Sequence, residues 1–161
     1  MIHTHEFDPV CYENSVILIL GTFPSVLSRK AGFYYAHPQN RFWKVLGEIY
    51  GGDPGSSKEE KIAFLRSHGI ALWDVIKECD IENSADASIK KVVPNDMAKL
   101  ISGTRIKAVF TNGKKAHELY CKYVAGQINV PETPLPSTSP ANARCTLKKL
   151  AEIWGAELKK Y

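Results

Sequence analysis

The chain has 161 residues, of which 44% are hydrophobic and 24% are charged, and its formal net charge is +4. This composition is typical of a globular protein with one sizeable core, and no stretch has the apolar length of a membrane span. The N-terminus lacks the charged and then apolar pattern of a signal sequence, so we expect a cytoplasmic protein that does not associate with membranes. The mild positive charge permits nucleic-acid binding but does not establish it.

The N-terminal segment, residues 1–14, carries four side chains that can bind metals, namely His3, His5, Glu6 and Asp8. We interpret this segment as a flexible or edge segment that leads into the first strand rather than a metal site, because the first residues of a domain are commonly poorly ordered. The apolar and partly β-branched stretch Val16–Leu20 follows. Closed by Gly21, this stretch predicts a buried strand.

The loop Gly21–Ser25 breaks this strand, since glycine permits close backbone approach and proline fixes a turn. After the aromatic cluster Phe33–Tyr35 comes Arg41–Tyr50, whose apolar residues recur at spacings of three and four. This spacing predicts an amphipathic helix, and Asn40 stands at its natural N-cap position. Ligands of open α/β sheets bind outside the carboxyl ends of the strands, so these residues are placed to form a pocket.

Helices and strands alternate along the rest of the chain. The predicted helices are Lys58–Ser67, Pro94–Ile101, Lys114–Tyr123 and Leu147–Leu158, and the predicted strands are Ile70–Val75, Ile106–Phe110 and Val130–Leu135. We expect Cys79–Lys91 to be irregular and Pro136–Ala143 to be a turn-rich loop. This order predicts a single α/β domain over residues 1–161, a three-layer α/β/α fold with a central, mostly parallel four-stranded sheet.

The four cysteines, Cys11, Cys79, Cys121 and Cys145, lie far apart and form no C-x-x-C pair. The sequence therefore lacks zinc-ribbon spacing and the close clustering typical of an iron–sulfur site. We expect reduced thiols that are buried or half-buried.

Four predicted strand ends carry polar and aromatic residues that converge at one edge of the sheet, namely Thr22–Ser25, Trp73–Asp74, Thr111–Asn112 and Ser137–Ser139. The sequence contains no glycine-rich phosphate loop, no G-x-G-x-x-G, no nucleophile elbow and no H-E-x-x-H. Aromatic faces, amides, hydroxyls and a carboxylate suit a planar heterocycle that is stacked on a ring and recognised along its edge. The residues alone therefore predict an α/β domain that binds a base-like ligand.

The segment GTFPSVLSRKAGFYYAHPQNRFWKVL resembles the first active-site region of the uracil-DNA glycosylase superfamily, and H-P-Q-N-R-F-W is its most specific part. The mismatch-specific uracil glycosylases have a Gly-x-x-Pro-Gly turn, an aromatic-rich segment and then H-P-x-N-R-F-W-K-V. The segment LPSTSPANARC resembles the second motif of thymine-DNA glycosylases. The resemblance extends over most of the chain and implies the three-layer fold of that superfamily.

Three departures from the superfamily pattern bear on the substrate. Phe23 stands where most members have an Asn or Asp that positions the hydrolytic water, Leu135 replaces the His that begins the second motif, and Asp74 replaces the Asn that recognises uracil. This combination is similar to the hypoxanthine-DNA glycosylase (DNA-deoxyinosine glycosylase) branch, in which the Asn of H-P-x-N is implicated in catalysis. Carried over, the resemblance assigns that role to Asn40, which we expect to orient the water.

The resemblance implies a substrate pocket formed by Gly21, Thr22, Phe23, Pro24, Ser25, Tyr35, His37, Asp74 and Asn112. Phe23 would stack on the flipped base, Tyr35 would form a wall, and Asp74 would accept a hydrogen bond from the N1–H group of hypoxanthine. His37 would protonate or hydrogen-bond the leaving base. Structural roles remain open for each of them: core packing for the two aromatic residues, a loop contact for His37, and helix caps for Asp74, Asn112 and Asn40.

The resemblance also implies a DNA-binding loop formed by Pro136, Ser137, Thr138, Ser139, Pro140, Ala141, Asn142 and Arg144. Its hydroxyls and backbone N–H groups suit phosphate contacts, and Pro140 and Ala141 are the candidate wedge; an ordinary surface turn is the alternative. Five basic side chains would neutralise the DNA backbone, namely Lys114, Lys115, Arg144, Lys148 and Lys149, although solvated helix faces have the same pattern.

We therefore expect a monomeric, monofunctional DNA glycosylase that acts on DNA containing a deaminated base and needs no metal or organic cofactor. No lysine stands out as a Schiff-base nucleophile, so we expect no strand cleavage. The alternatives are a uracil or thymine mismatch glycosylase, a non-catalytic DNA-binding module with the same fold, and an enzyme that acts on free inosine.

Overall fold

The main sheet has four parallel strands in the order β3-β2-β6-β7. The computed structural model describes residues 1–82 and 86–161. The strands of this sheet are β2 (Ile17–Gly21), β3 (Ile70–Asp74), β6 (Ala108–Asn112) and β7 (Glu132–Leu135). Every residue of β2 and β6 is buried. Continuous burial of this kind is typical of central parallel strands that are covered on both faces.

Helices cover both faces of this sheet. They are α1 (Val26–Ala31), α2 (Phe42–Tyr50), α3 (Lys58–Ser67), α4 (Met97–Ile101), α5 (Lys114–Tyr123) and α6 (Leu147–Leu158), with a short 3₁₀ turn at Asp86–Ser88. Ile19 of β2 belongs to an apolar cluster with residues of α2, α3 and α6. Its neighbours Leu18 and Leu20 belong to a second cluster with residues of α4 and α5. The predicted three-layer α/β/α fold with a four-stranded parallel sheet is therefore confirmed.

A second, antiparallel sheet has the strand order β1-β4-β5. It consists of β1 (Ile2–Thr4), β4 (Ile76–Asp80) and β5 (Lys90–Pro94). The prediction that Cys79–Lys91 is irregular was therefore wrong at both ends, while residues 83–85 lie outside the described residues. The sequence of β4 does not have the pattern of a strand, because three of its five residues are charged and only Ile76 and Cys79 are buried. The N-terminal segment supplies the edge strand β1.

Several element boundaries differ from the prediction. Helix α1 was not predicted, and Ser25 caps it by accepting a hydrogen bond from the Ser28 N–H at 3.1 Å. Pro94 ends a strand, so the predicted helix Pro94–Ile101 begins only at Met97, after its N-cap Asp96. The predicted strand Ile106–Phe110 lies two residues later, at β6.

The four cysteines are all free thiols, and the prediction that they are buried or half-buried is wrong for Cys121, which lies on an outer turn of helix α5. Cys79 is buried, Cys11 and Cys145 are half-buried, and Cys121 is exposed. Within the described residues, no helix combines the length and the apolar character needed to cross a lipid bilayer.

Candidate active site

A cavity of about 350 Å³ lies where β2, β3 and β6 end. The parallel register brings these ends together, since Gly21 pairs with Asp74 and Leu20 pairs with Thr111. Most of the predicted site residues line the cavity: Gly21, Thr22, Phe23, Pro24, Ser25, Tyr35, His37, Asn40, Asp74, Asn112, Ser137, Thr138, Ser139, Pro140 and Ala141. Pro136, Asn142 and Arg144 are not part of the lining, whereas Ser28 and Tyr34, which were not predicted, are part of it.

A chain of hydrogen bonds joins Asn112, Thr138 and Asn40. The Thr138 N–H donates to Asn112 Oδ1 at 3.1 Å, and Asn112 Nδ2 donates to Thr138 Oγ1 at 3.0 Å. The Thr138 hydroxyl then donates to Asn40 Oδ1 at 2.8 Å. Because a backbone N–H can only donate, the Thr138 N–H fixes the orientation of the Asn112 amide and, through it, the direction of the hydroxyl.

The orientation of the Asn40 amide is also fixed by a backbone N–H, which can only donate. Its Oδ1 atom also accepts the Phe42 N–H at 3.0 Å, so the oxygen faces helix α2 and the Thr138 loop. The Nδ2 group forms no hydrogen bond with the described residues, and Asn40 lines the cavity. Asn40 therefore offers a hydrogen-bond donor to a bound ligand. The residue that occupies the N-cap position of α2 is Arg41, one residue later than predicted.

Asp74 forms a buried pair with His5, a residue predicted to lie in a flexible or edge segment. The His5 Nε2–H donates to Asp74 Oδ2 at 2.8 Å, and the two side chains are only 3% and 5% exposed. The pairing of β1 with β4 and the bond from the His5 N–H to the Lys77 carbonyl bring His5 to this place. Asp74 is followed by a strand and not by a helix, so the helix-cap alternative for this residue is wrong.

The second oxygen of Asp74 and the Tyr35 hydroxyl both lie beside Gly21. A methyl group at Gly21 would lie 2.4 Å from Asp74 Oδ1 and 2.9 Å from Tyr35 Oη, so only glycine leaves this space open. The Tyr35 hydroxyl is buried, and its proton has no acceptor among the described residues. Burial, and then the Asp74 carboxylate, raises the pKa of Tyr35, although the Asn112 side chain partly offsets these effects. The phenol therefore stays protonated at neutral pH, so this corner presents a donor beside an acceptor.

Tyr35 is held in an unusual backbone conformation. Its φ angle is 53°, in the left-handed region that non-glycine residues rarely adopt. Its ring stacks on Phe42, with centroids 4.0 Å apart and planes 17° apart. Backbone strain of this kind persists only where the surrounding packing prevents the residue from relaxing, and strained residues are concentrated at functional sites.

Phe23 and His37 complete the cavity wall. Phe23 packs partly against the core and also lines the cavity, and its stacking on a flipped base stays a prediction. The His37 Nδ1 atom accepts a hydrogen bond from the Gln39 N–H at 3.0 Å. In the neutral ring this bond leaves the proton on Nε2, which gives His37 a donor for a ligand.

Arg41 holds the loop of the second motif, residues 136–145, in place through hydrogen bonds to its carbonyls. Its guanidinium donates to the carbonyls of Ser139 and Asn142 at 3.0 Å each, and it also donates to the Cys145 carbonyl. The Arg41 N–H donates to the Thr138 carbonyl at 3.1 Å. The motif H-P-Q-N-R-F-W contains Arg41, but nothing in the sequence shows that its partners lie about a hundred residues away.

Asn112 was expected to cap the helix that follows it. Helix α5 has Gly113 at its N-cap position and no side-chain cap, because the Asn112 amide is bonded to Thr138 instead. Among the described residues, the cavity contains no group of three side chains arranged to bind a metal. Its chemistry is that of hydrogen-bond donors, one carboxylate and aromatic faces, which suits a planar, uncharged heterocycle.

Comparison with known proteins gives one consistent result. A sequence model of the Uracil DNA glycosylase superfamily matches residues 8–156. A hypoxanthine DNA glycosylase from Methanosarcina barkeri is 35% identical over 156 residues, which are 96% of this chain and 97% of the relative. A second hypoxanthine DNA glycosylase, from Methanosarcina acetivorans, is 35% identical over 93% of this chain and 94% of its own length.

More distant and structural matches agree. A G/U mismatch-specific uracil DNA glycosylase from Schizosaccharomyces pombe is 27% identical over 78% of this chain but only 39% of its own length. The solution NMR structure of a uracil DNA glycosylase candidate from Methanosarcina acetivorans superposes with a TM-score of 0.82 and 34% identity, covering 99% of this chain and 98% of the other. With the family match extending over most of the chain, this protein belongs to the uracil DNA glycosylase superfamily.

Proposed function

We propose that this protein is a monofunctional DNA glycosylase that hydrolyses the N-glycosidic bond of hypoxanthine in DNA and so starts base excision repair. Two relatives named hypoxanthine DNA glycosylase, each 35% identical over nearly the whole chain, support this proposal. The observation that carries it is that a donor, Tyr35 Oη, and an acceptor, Asp74 Oδ1, both lie beside Gly21 in the cavity wall.

This pair matches the O6 and N1–H edge of hypoxanthine, which guanine shares and adenine lacks. Hypoxanthine presents O6, which accepts, beside N1–H, which donates, so O6 would face Tyr35 and N1–H would face Asp74. Adenine presents the reverse order, an amino donor beside the N1 acceptor, and would leave both protein groups mismatched. A mismatch of buried polar groups costs about 1–3 kcal/mol each, which is enough to reject the undamaged parent base.

The leaving base would be stabilised by donors. Breaking the glycosidic bond develops positive charge on the sugar and negative charge on the base, and preorganised donors lower this barrier. Asn40 Nδ2 and His37 Nε2 are two donors of the cavity wall that have no partner among the described residues. We assign Asn40 to hold the attacking water or the departing base through Nδ2, and His37 to donate to the base.

The absence of a nearby amine supports hydrolysis without strand cleavage. Among the described residues that line the cavity, none is a lysine. A Schiff-base intermediate requires an amine nucleophile. We therefore expect an abasic site as the product, and borohydride should trap no enzyme–DNA adduct.

The loop Pro136–Arg144 is the proposed contact with the DNA backbone. Arg41 fixes this loop from behind, and Pro140 and Ala141 at the cavity wall are the proposed wedge. Lys114, Lys115, Lys148 and Lys149 would neutralise phosphates, so binding should weaken as salt rises. A monomeric state and cytoplasmic residence stay predictions, and size-exclusion chromatography with light scattering would test the first of them.

The test is base release from matched duplexes that carry deoxyinosine, deoxyuridine or deoxyadenosine at one position, followed by alkaline cleavage at abasic sites. We expect release of hypoxanthine, little release of uracil and none of adenine, with the activity lost in Asn40→Ala while DNA binding is kept. Release mainly of uracil would favour a mismatch glycosylase, since the O4 and N3–H groups of uracil offer the same edge pattern. Tight binding without release would indicate a non-catalytic module.

A further inference from the structure

We propose that His117, Cys121 and Glu132 form a binding site for Zn²⁺ on the surface of the protein, outside the cavity. Their ligand atoms, one from each residue, all lie within 4.8 Å of one another. None of the three residues lines the cavity. The site is therefore separate from the proposed glycosylase reaction, and the two proposals can fail independently.

Helix α5 and strand β7 build the site. His117 and Cys121 are four residues apart on α5, so one helical turn places them on the same face. Glu132 is the first residue of β7 and meets the helix from the side. The His117 Nδ1 atom lies 2.7 Å from Glu132 Oε2, and the Cys121 Sγ atom lies 3.8 Å from the same nitrogen.

These distances are close to those of a tetrahedral zinc site. Zinc binds His nitrogen, carboxylate oxygen and Cys sulfur at about 2.0–2.3 Å, which places the ligand atoms roughly 3.3–3.8 Å apart. The distance of 3.8 Å between Cys121 Sγ and His117 Nδ1 already fits. The nitrogen–oxygen pair, now a hydrogen bond, must open by only about 0.6 Å to reach the zinc range. On binding, the Cys121 thiol loses its proton to solvent, the neutral His117 ring carries its proton on Nε2 instead of Nδ1, and water takes the fourth position.

The surroundings of Glu132 support a ligand role. The hydroxyl of buried Thr111 donates to Glu132 Oε2 at 2.7 Å. Metal-binding carboxylates are commonly oriented by such a second hydrogen bond. The Glu132 side chain is 11% exposed, whereas that of His117 is 36% exposed and Cys121 is exposed. One ligand is thus fixed in the protein, and the other two are open to an incoming ion.

The expected consequence of binding is structural. Strand β7 is the edge strand of the main sheet, and a bound ion would join it to α5. A ligand that binds the folded state but not the unfolded one raises the unfolding temperature by mass action. Thr111, which hydrogen-bonds Glu132, directly precedes Asn112 in β6, and Asn112 is the hydrogen-bond partner of Thr138. The zinc site is therefore connected through β6 to the wall of the cavity.

The test uses untagged, full-length protein from which metal has been removed with a chelator. Titration with Co²⁺ should give one equivalent of binding and a thiolate-to-cobalt absorption band, and Zn²⁺ should displace the cobalt and raise the unfolding temperature. Cys121→Ser should abolish the band and weaken Zn²⁺ binding at least tenfold. The matched control is Cys11→Ser, which removes a half-buried thiol outside the cluster and should behave like the wild type.

Two results would overturn the site: no thiolate band in the wild type, or equal Zn²⁺ affinity in the wild type and Cys121→Ser. Because Cys121 is exposed, its replacement should leave the fold intact, and circular dichroism checks this. His117→Gln gives a second variant that should also lose Zn²⁺ binding. Hypoxanthine release by Cys121→Ser should equal that of the wild type, so a failure of the metal site is distinguishable from a failure of the proposed glycosylase function.

Discussion

Replacing Thr138 by valine removes one hydroxyl and keeps the shape of the side chain. The hydroxyl accepts from Asn112 Nδ2 at 3.0 Å and donates to Asn40 Oδ1 at 2.8 Å, and Thr138 is fully buried. The buried Asn112 donor is then left without a partner, which costs about 1–3 kcal/mol of unfolding free energy. The Asn40 amide keeps only its bond from the Phe42 N–H. A loss of about 1.4–2.8 kcal/mol in transition-state stabilisation from poorer positioning would slow base release about 10- to 100-fold.

The assay is single-turnover release of hypoxanthine from a duplex saturated with enzyme, together with thermal unfolding of each protein. Thr138→Ser is the matched control, since serine keeps the hydroxyl and loses only a methyl group, so it should remain within a few-fold of the wild-type rate. If Thr138→Val released hypoxanthine as fast as Thr138→Ser, the hydroxyl would not position Asn40, and the orientation derived from the hydrogen-bond chain would be refuted.

Three further changes test other parts of the site. Asn40→Asp should lose as much base release as Asn40→Ala in the same assay, because it puts an acceptor where the donor stands. Tyr35→Phe should slow hypoxanthine release about tenfold, which corresponds to about 1.4 kcal/mol. The unfolding temperature should not fall, because the hydroxyl proton has no acceptor among the described residues, and a lower unfolding temperature would contradict this. Arg41→Lys should lower the unfolding free energy by about 1–3 kcal/mol in denaturant titrations, since an ammonium cannot reach all three carbonyls. Unchanged stability would show that the contacts of Arg41 with these carbonyls do not stabilise the protein.

The main sheet and the position of the cavity were predictable because both follow from local patterns. The apolar run at β2 and the helical spacing at α2 depend only on neighbouring residues, and the structure has both elements. Parallel strands bring their carboxyl ends together whatever their side chains are. Gly21, Asp74 and Asn112 therefore meet at one edge, as the order of elements predicts.

The second sheet and the role of His5 were not predictable for the opposite reason. Strand β4 is partly exposed and carries charged residues, and its buried and exposed side chains do not alternate regularly. Its partner β1 lies about seventy-five positions earlier in the chain, so neighbouring residues give no sign of the pairing. His5 is buried only because that pairing places it against Asp74, which is 69 residues away in the chain. Its partner, and not its own neighbours, determines its burial. Arg41 is a similar case, because all three of its carbonyl partners lie in the distant loop.

Asn40 shows why the structural and catalytic interpretations of one residue need not compete. Its carboxamide has two ends, and the oxygen end accepts the first N–H of α2 while the nitrogen end is left for the cavity. An aspartate in this position would still accept from Phe42 and Thr138 through one oxygen, so the helix start and the unfolding temperature should be preserved in Asn40→Asp. The other oxygen would repel the negative charge that develops on the leaving base. Preserved stability with lost base release would separate the two roles, whereas a variant that kept its activity would show that the residue acts as an acceptor for water.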